Sequence, residues 1–228
     1  MNILVIGGSS GIGLEIVKQL HDKHNVYVAN RTNDALSEFK HEFIKVDIIK
    51  ETIDAKLLPE SLDGFVYCPG TINLRPFRGL KPETFISDFN INVMGAIKNI
   101  QAVLKNLNHS KHSSIVLFST VAVQTGMPFH SSIAASKGAI EGLTRSLAAE
   151  FAPKISVNAI APSIVDTPLS DKFLNSEAKM ERATERHPLK KVGSPTELAK
   201  AAVFLLTNSS WITGQVIGID GGIGNLKI

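Results

Sequence analysis

Residues 3–13 read Ile3-Leu4-Val5-Ile6-Gly7-Gly8-Ser9-Ser10-Gly11-Ile12-Gly13, with the amphipathic stretch Leu14–Leu20 directly behind. The apolar run predicts a strand, the small residues a tight turn, and the periodic stretch a helix. Free N–H groups at a helix start, together with the positive end of its dipole, make an anion site. Glycine lets the backbone turn sharply and come close to a pyrophosphate. The spacing is G-x-x-x-G-x-G rather than G-x-G-x-x-G. The turn is therefore either a nucleotide cradle built from Gly7, Ser9, Ser10, Gly11, Ile12 and Gly13 or a strand-to-helix turn without a ligand. Its place between the first strand and the first helix favours the cradle.

Outward from this turn, further strands are predicted at Asn25–Ala29, Phe43–Val46, Gly64–Cys68, Ser114–Ser119, Ile155–Ile160 and Gln215–Ile219. Helices are predicted over about Pro82–Leu107, over Ser131–Phe151 and over Pro195–Leu206, the last capped by Ser194 with Pro195 at its first position. The strands are short, apolar and β-branched, as in a sheet buried on both faces. Strands alternating with helices imply right-handed βαβ units. The expected fold is α/β: a single Rossmann-type, doubly wound parallel sheet of about seven strands flanked by helices on both faces. No repeat or linker divides the chain, so residues 1–228 are expected to form one NAD(P)-binding domain. The charged stretch from about 165 to 191 is expected to be a helical lid over the strand ends.

Bulk properties narrow the function classes. The chain has 228 residues, 43% hydrophobic and 20% charged, which suits a domain with a substantial core. A formal net charge of +3 and the lack of a long basic block argue against nucleic acid or a membrane surface as partner. Cys68 is the only cysteine, so no intrachain disulfide or cysteine metal site is expected. The seven histidines lack ligand spacing, and no metal is expected. The N-terminal apolar run has no basic flank or cleavage pattern, and no apolar run is long enough to span a bilayer. A cytoplasmic protein is expected.

In a doubly wound sheet, ligands bind beyond the carboxyl ends of the strands near the topological switch point. Asn30-Arg31-Thr32 follows the second strand. A carboxylate there would bind a ribose 2′-hydroxyl, whereas Arg31 presents a planar charged fork suited to a 2′-phosphate. This favours NADP(H) over NAD(H), unless Arg31 simply points to solvent. Asp47 follows the third strand, placed either to accept from an adenine amino group or to form a turn. Ser119-Thr120 ends the fifth strand, and Ile133 and Lys137 lie four apart, on one helical face. Asn92 lies within the long helix, and Pro162–Thr167 follows the sixth strand.

Through these residues the chain resembles the short-chain dehydrogenase/reductases over essentially its whole length. Gly7, Gly11 and Gly13 match their T-G-x-x-x-G-x-G, with Ile6 in place of Thr. Asp47-Ile48 matches the adenine-contacting D-V. Tyr67-Cys68-Pro69-Gly70 falls at N-N-A-G, where only Gly70 persists. Gly214-Gln215 and Asp220-Gly221-Gly222 match the last strand and its turn, and the chain is trimmed over Thr32–Asp63. The resemblance implies a proton-relay role for Asn92, the place of the carbonyl-orienting Ser for Thr120, ribose binding for Lys137, and nicotinamide contacts from Ile164 and Thr167. Ser163 stands where the family has the Gly of its P-G motif.

The main departure is at Y-x-x-x-K, which here reads Ile133-Ala134-Ala135-Ser136-Lys137. In the family the Tyr hydroxyl is the general acid and base, and isoleucine has no proton to give. The proton would come instead from water, His130 or Lys137, although Lys137 reads first as a ribose ligand only. Ser131 and Ser132 read as helix caps and Tyr67 as packing. The resemblance implies an NADP(H)-dependent oxidoreductase that reduces a carbonyl or activated double bond of a small molecule. The competing reading is a catalytically inactive NADP(H)-binding protein acting as a sensor or assembly partner. The family habit implies a homodimer or homotetramer packed through the two long helices.

Overall fold

The computed structural model describes residues 1–227. In chain order, β1 (Asn2–Ile6), α1 (Gly11–Leu20), β2 (Asn25–Asn30), β3 (Glu42–Lys45) and β4 (Gly64–Tyr67) come first. Next come α2 (Pro82–Phe89), α3 (Gly95–His109), β5 (Ser113–Phe118), α4 (Ala122–Thr125) and α5 (Ser131–Phe151). The chain continues through β6 (Ile155–Pro162), α6 (Asp171–Leu174), α7 (Glu177–Glu185), α8 (Pro195–Thr207) and β7 (Val216–Ile219). One sheet of order β3-β2-β1-β4-β5-β6-β7 results, and its strand pairings are parallel. The order runs outward in both directions from β1 and β4, so the switch-point crevice opens beyond Ile6 and Tyr67.

The period-2 pattern of β1 divides its side chains between two cores. Leu4 and Ile6 face one core with Phe65, Ile115 and Val157, covered by Val103 and Leu107 of α3 and Ile140 of α5. Ile3 and Val5 face the other, covered by Ile16 and Leu20 of α1 and Leu198 and Leu205 of α8. Each such Leu or Ile contributes about 1.5–3 kcal/mol of burial. The sheet is thereby buried on both faces, as its apolar strands predict.

The crossovers from β2 to β3 and from β3 to β4, where no helix is predicted, carry short 3-10 turns, Asp34–Leu36 and Ala55–Leu57. This is the stretch over which the chain is trimmed. Two expectations need correction. The helix expected over Pro82–Leu107 is interrupted by a π turn at Asn90–Met94, whose next N–H, from Gly95, bonds back to the Asn90 carbonyl. Ser194 takes the N-cap position of α8, but its hydroxyl makes no capping bond; its carbonyl accepts the first helical bonds, from Glu197 and Leu198. α1 begins three residues before the amphipathic stretch Leu14–Leu20, and the remaining element ends differ by at most two residues, as fraying ends do. The stretch 165–191 contains α6 and α7, as expected of a helical segment there. Among the described residues no helix is long and apolar enough to cross a membrane.

Candidate active site

The crevice is built first from glycine. Gly7 has φ +80°, and the Pro69 ring of the β4 end lies where its side chain would be, 3.0 Å from an ideal Cβ. Gly11, at φ +53°, brings bare backbone against Thr167, with 3.3 Å between an ideal Cβ and the Thr167 methyl. At Gly13 a Cβ would overlap the Gly7 carbonyl oxygen. These positions exclude side chains for different reasons: left-handed backbone at the first two, helix-on-strand approach at the third. Ser10, in extended backbone, precedes α1 and has no side-chain capping bond, so the helix N-terminus faces the crevice with free donors. Ser9 accepts from the Asn30 amide, tying the turn to the end of β2. Arg31 is exposed beside that bond. Asp47 forms a turn, its Oδ1 accepting from the Ile49 N–H at 3.2 Å, with Lys50 3.9 Å from Oδ2. Ile48 beside it is half-buried.

Across the switch point, Thr167 is held by Ser170. The Ser170 hydroxyl accepts from the Thr167 N–H at 3.1 Å, lies 3.2 Å from its hydroxyl, and also reaches the Val165 carbonyl. An open cleft of about 500 Å³ lies against Asp166, Thr167, Pro168 and Asp171. Ile164 is half-buried in the same loop. Ser163 is bonded to Nε2 of the buried His187, 2.8 Å away, while Nδ1 meets the Ala183 carbonyl at 2.6 Å. The serine in place of glycine therefore has a partner reaching in from the end of α7, which the sequence pattern alone did not reveal.

The third group converges on Gly70. An ideal Cβ there would sit 3.3 Å from Asn92 Oδ1 and 3.7 Å from Lys137 Nζ. Asn92 is 1% exposed, and its Oδ1 is buried without a hydrogen-bond partner. Lys137 is 7% exposed, and burial pushes its ammonium down to about 8, opposed by charge from Cys68 and Asp88. A buried oxygen without a partner and a buried amine on one bare backbone position are polar groups prepared for a ligand or water. Thr120 lies at the end of β5, its hydroxyl 3.4 Å from the Pro162 carbonyl. Ile133 is buried on the Lys137 face of α5. His130 takes the N-cap position of α5, and its Nδ1 bonds the Pro128 carbonyl at 2.7 Å.

Tyr67 packs in the core, as expected, and has a further role. Its hydroxyl donates to the Ile91 carbonyl at 2.6 Å, inside the π turn beside Asn92. A Cβ at Gly95 would overlap that hydroxyl, so the phenol and the glycine fit each other. Burial raises the Tyr67 pKa well above its ordinary value. The group is a fixed donor there and not an acid. Cys68 is likewise pushed up to about 12 by burial. Ser131 and Ser132 are not caps: both lie in the first turn of α5 behind His130. Ser132 instead bonds the fully buried Asp88 at 2.5 Å. Sequence reasoning passed over Asp88, although an Asp four residues before Asn92 puts both on one helix face.

The family model described as enoyl-(acyl carrier protein) reductase matches residues 7–224. A 3-oxoacyl-[acyl-carrier-protein] reductase of Thermotoga maritima is 38% identical over 146 residues, covering 63% of this chain and 58% of that protein. A solved structure described as a short chain dehydrogenase/reductase family protein superposes with a TM-score of 0.88 at 28% identity, covering 99% of this chain and 98% of the other. The structure described as ElxO with NADP bound gives 0.85 at 27% identity, covering 97% and 98%.

Proposed function

The chain belongs to the short-chain dehydrogenase/reductase family of oxidoreductases, and from that premise we propose that it is an NADP(H)-dependent reductase of a carbonyl or an activated double bond in a small molecule. The observation that carries the proposal is the meeting of three elements at one crevice. These are the bare glycine turn, the Thr167 loop touching Gly11, and the buried Asn92 Oδ1 and Lys137 Nζ on Gly70.

The residues suit the dinucleotide. Gly7, Gly11, Gly13 and the Ser9–Ile12 backbone would take the pyrophosphate at the start of α1. Asp47 and Ile48 would flank the adenine, Lys137 and Gly70 the nicotinamide ribose, and Ile164 and Thr167 the nicotinamide amide. Arg31, exposed beside the Ser9–Asn30 bond, would take a 2′-phosphate. A structural neighbour described with NADP bound supports that preference. NADP(H), when bound, supplies the hydride.

Thr120 would orient the substrate oxygen with its hydroxyl. Ile133 makes the face above Lys137 apolar and excludes water from it. Lys137, pushed down to about 8, holds a proton that it can release near neutral pH, and so takes the place of the missing phenol. His130, at the start of α5, is a second donor whose Nδ1 is already committed to Pro128. Asp166 and Asp171 beside the open cleft favour a polar substrate. The α6–α7 segment would act as its lid. Exposed Ile86 and Phe89 on α2 support a homo-oligomer packed through α2–α3 and α5.

The test is a fluorescence titration with NADPH and NADH, followed by turnover of a ketone and enone panel. NADPH binding tighter than NADH binding, with turnover of at least one substrate, is expected. Binding without any turnover would establish a nucleotide-holding protein instead, a reading favoured by Ile133. Failure to bind either nucleotide would overturn both.

A further inference from the structure

The fully buried carboxylate of Asp88 has no part in the chemistry above. Side chains from the loop after β4 and from α5 close on it. Asn92 Nδ2 donates to Thr71 Oγ1 and to the Asp88 backbone carbonyl, both at 2.8 Å, so both amide protons are engaged. Because Thr71 Oγ1 accepts there, its own proton goes to Asp88 Oδ1 at 2.6 Å. The same oxygen also accepts from the Asn73 amide at 2.7 Å. The other oxygen accepts from Ser132 at 2.5 Å, one residue before Ile133. With both amide protons spent, Asn92 Oδ1 is left facing Gly70, on the side where Lys137 Nζ also lies.

We propose that Asp88 is a positioning residue of the active site: through Thr71 it turns the Asn92 carbonyl oxygen toward Gly70, where Lys137 Nζ also lies. This rests on the reading of Asn92 and Lys137 as site residues. Two other titratable groups lie near Lys137. Cys68, at the end of β4, also opposes the downward push on Lys137, while burial raises its own thiol to about 12. Glu141, one turn along α5, accepts from Ser119 at 2.8 Å and from Arg145 at 3.4 Å. Asp88 has no cationic partner among the described residues and is held by Thr71, Asn73 and Ser132. A neutral side chain at 88 releases Thr71 to donate toward Asn92, and the amide would turn its NH2 onto the ammonium.

The test follows two nuclear magnetic resonance signals in the full chain without nucleotide. Lys137 is titrated through its Cε resonance, assigned with Lys137→Met. Asp88→Asn is expected to lower its midpoint by about one pH unit, whereas Ser132→Ala, which keeps the charge, leaves it in place. An unchanged midpoint in folded Asp88→Asn would overturn the proposal. Thr71→Val keeps the carboxylate and removes the hydroxyl that joins it to Asn92. It is expected to speed exchange of the Asn92 side-chain amide protons at least tenfold, and exchange at the wild-type rate would overturn the orienting role. This second variant stands if Asp88→Asn does not fold. Neither signal involves NADPH, so failure of nucleotide binding and failure of this proposal are read separately.

Discussion

The two sides of the switch point follow different rules. On the side of β1, α1 and β2, the crevice is made by what is missing. Gly7, Gly11 and Gly13 leave backbone bare, and any side chain would strike Pro69, Thr167 or the Gly7 carbonyl. On the side of β4, the π turn and α5, the crevice is made by polar side chains that hold one another. Tyr67 grips Ile91, Asp88 gathers Thr71, Asn73 and Ser132, and Asn92 is fixed through Thr71. The first side depends on bare backbone, left-handed at Gly7 and Gly11, against which Pro69 and Thr167 close. The second depends on side-chain hydrogen bonds between groups up to 44 residues apart in the chain. A binding surface for a pyrophosphate needs only N–H groups and space, while a site for proton chemistry needs placed dipoles and tuned charge. Departures from the family pattern accordingly gather on the second side.

The sharpest way to break this contrast is to restore the missing acid. Ile133→Tyr is expected to raise ketone reduction by about 10²–10⁴-fold in a steady-state assay, since general acid–base catalysis is worth that much. No gain would mean that the polar side is incompetent beyond one residue. On the bare side, Gly13→Ala is expected to cost about 3 kcal/mol or more in urea unfolding, because backbone cannot move away from the new methyl. A loss below about 1 kcal/mol would show that the turn has room.

Smaller effects sharpen the division. Arg31→Ala is expected to weaken NADPH by about ten- to a hundredfold, the worth of a hydrogen bond to a charged group, with NADH little changed. Equal losses would remove Arg31 as the phosphate ligand. Lys137 yields the gentlest effect, a pH limb. Its folded value of about 8 lies below that of an ordinary lysine, so the ammonium is present below about pH 8 and lost above it. Nucleotide affinity is expected to fall a few-fold as pH rises through 8. Stability moves the other way: between pH 8 and the ordinary lysine range the unfolded chain binds the extra proton, so unfolding becomes harder as pH rises. Flat affinity from pH 7 to 9.5 would separate Lys137 from the ribose.

Much of the sheet was legible because each strand carries its own signal. An apolar, β-branched run of four to eight residues ended by Gly, Pro or Asp needs no distant partner to be recognised. The π turn was not legible, because Asn90–Met94 carries the same helical periodicity as its flanks. What marks it is Tyr67, 24 residues away, seated on Ile91 in the space left by Gly95. Ser132 was misread for a related reason. A serine near a helix start suits a cap equally well by sequence, and only α2 packed against α5 supplies the Asp88 carboxylate that claims its hydroxyl.

By itself the sequence determined the layered architecture and the glycine turn between β1 and α1, because strand alternation and glycine conformation are local properties of consecutive residues. It also determined that the usual acid is absent, since residue 133 is isoleucine. Tertiary structure alone decided which polar groups face the crevice and in what state. Burial pushes Lys137 down and Tyr67 up, and a hydrogen-bond chain across three elements aims one oxygen of Asn92 at Gly70. Those outcomes are set by desolvation and by partners distant along the chain, and no local run of residues encodes either.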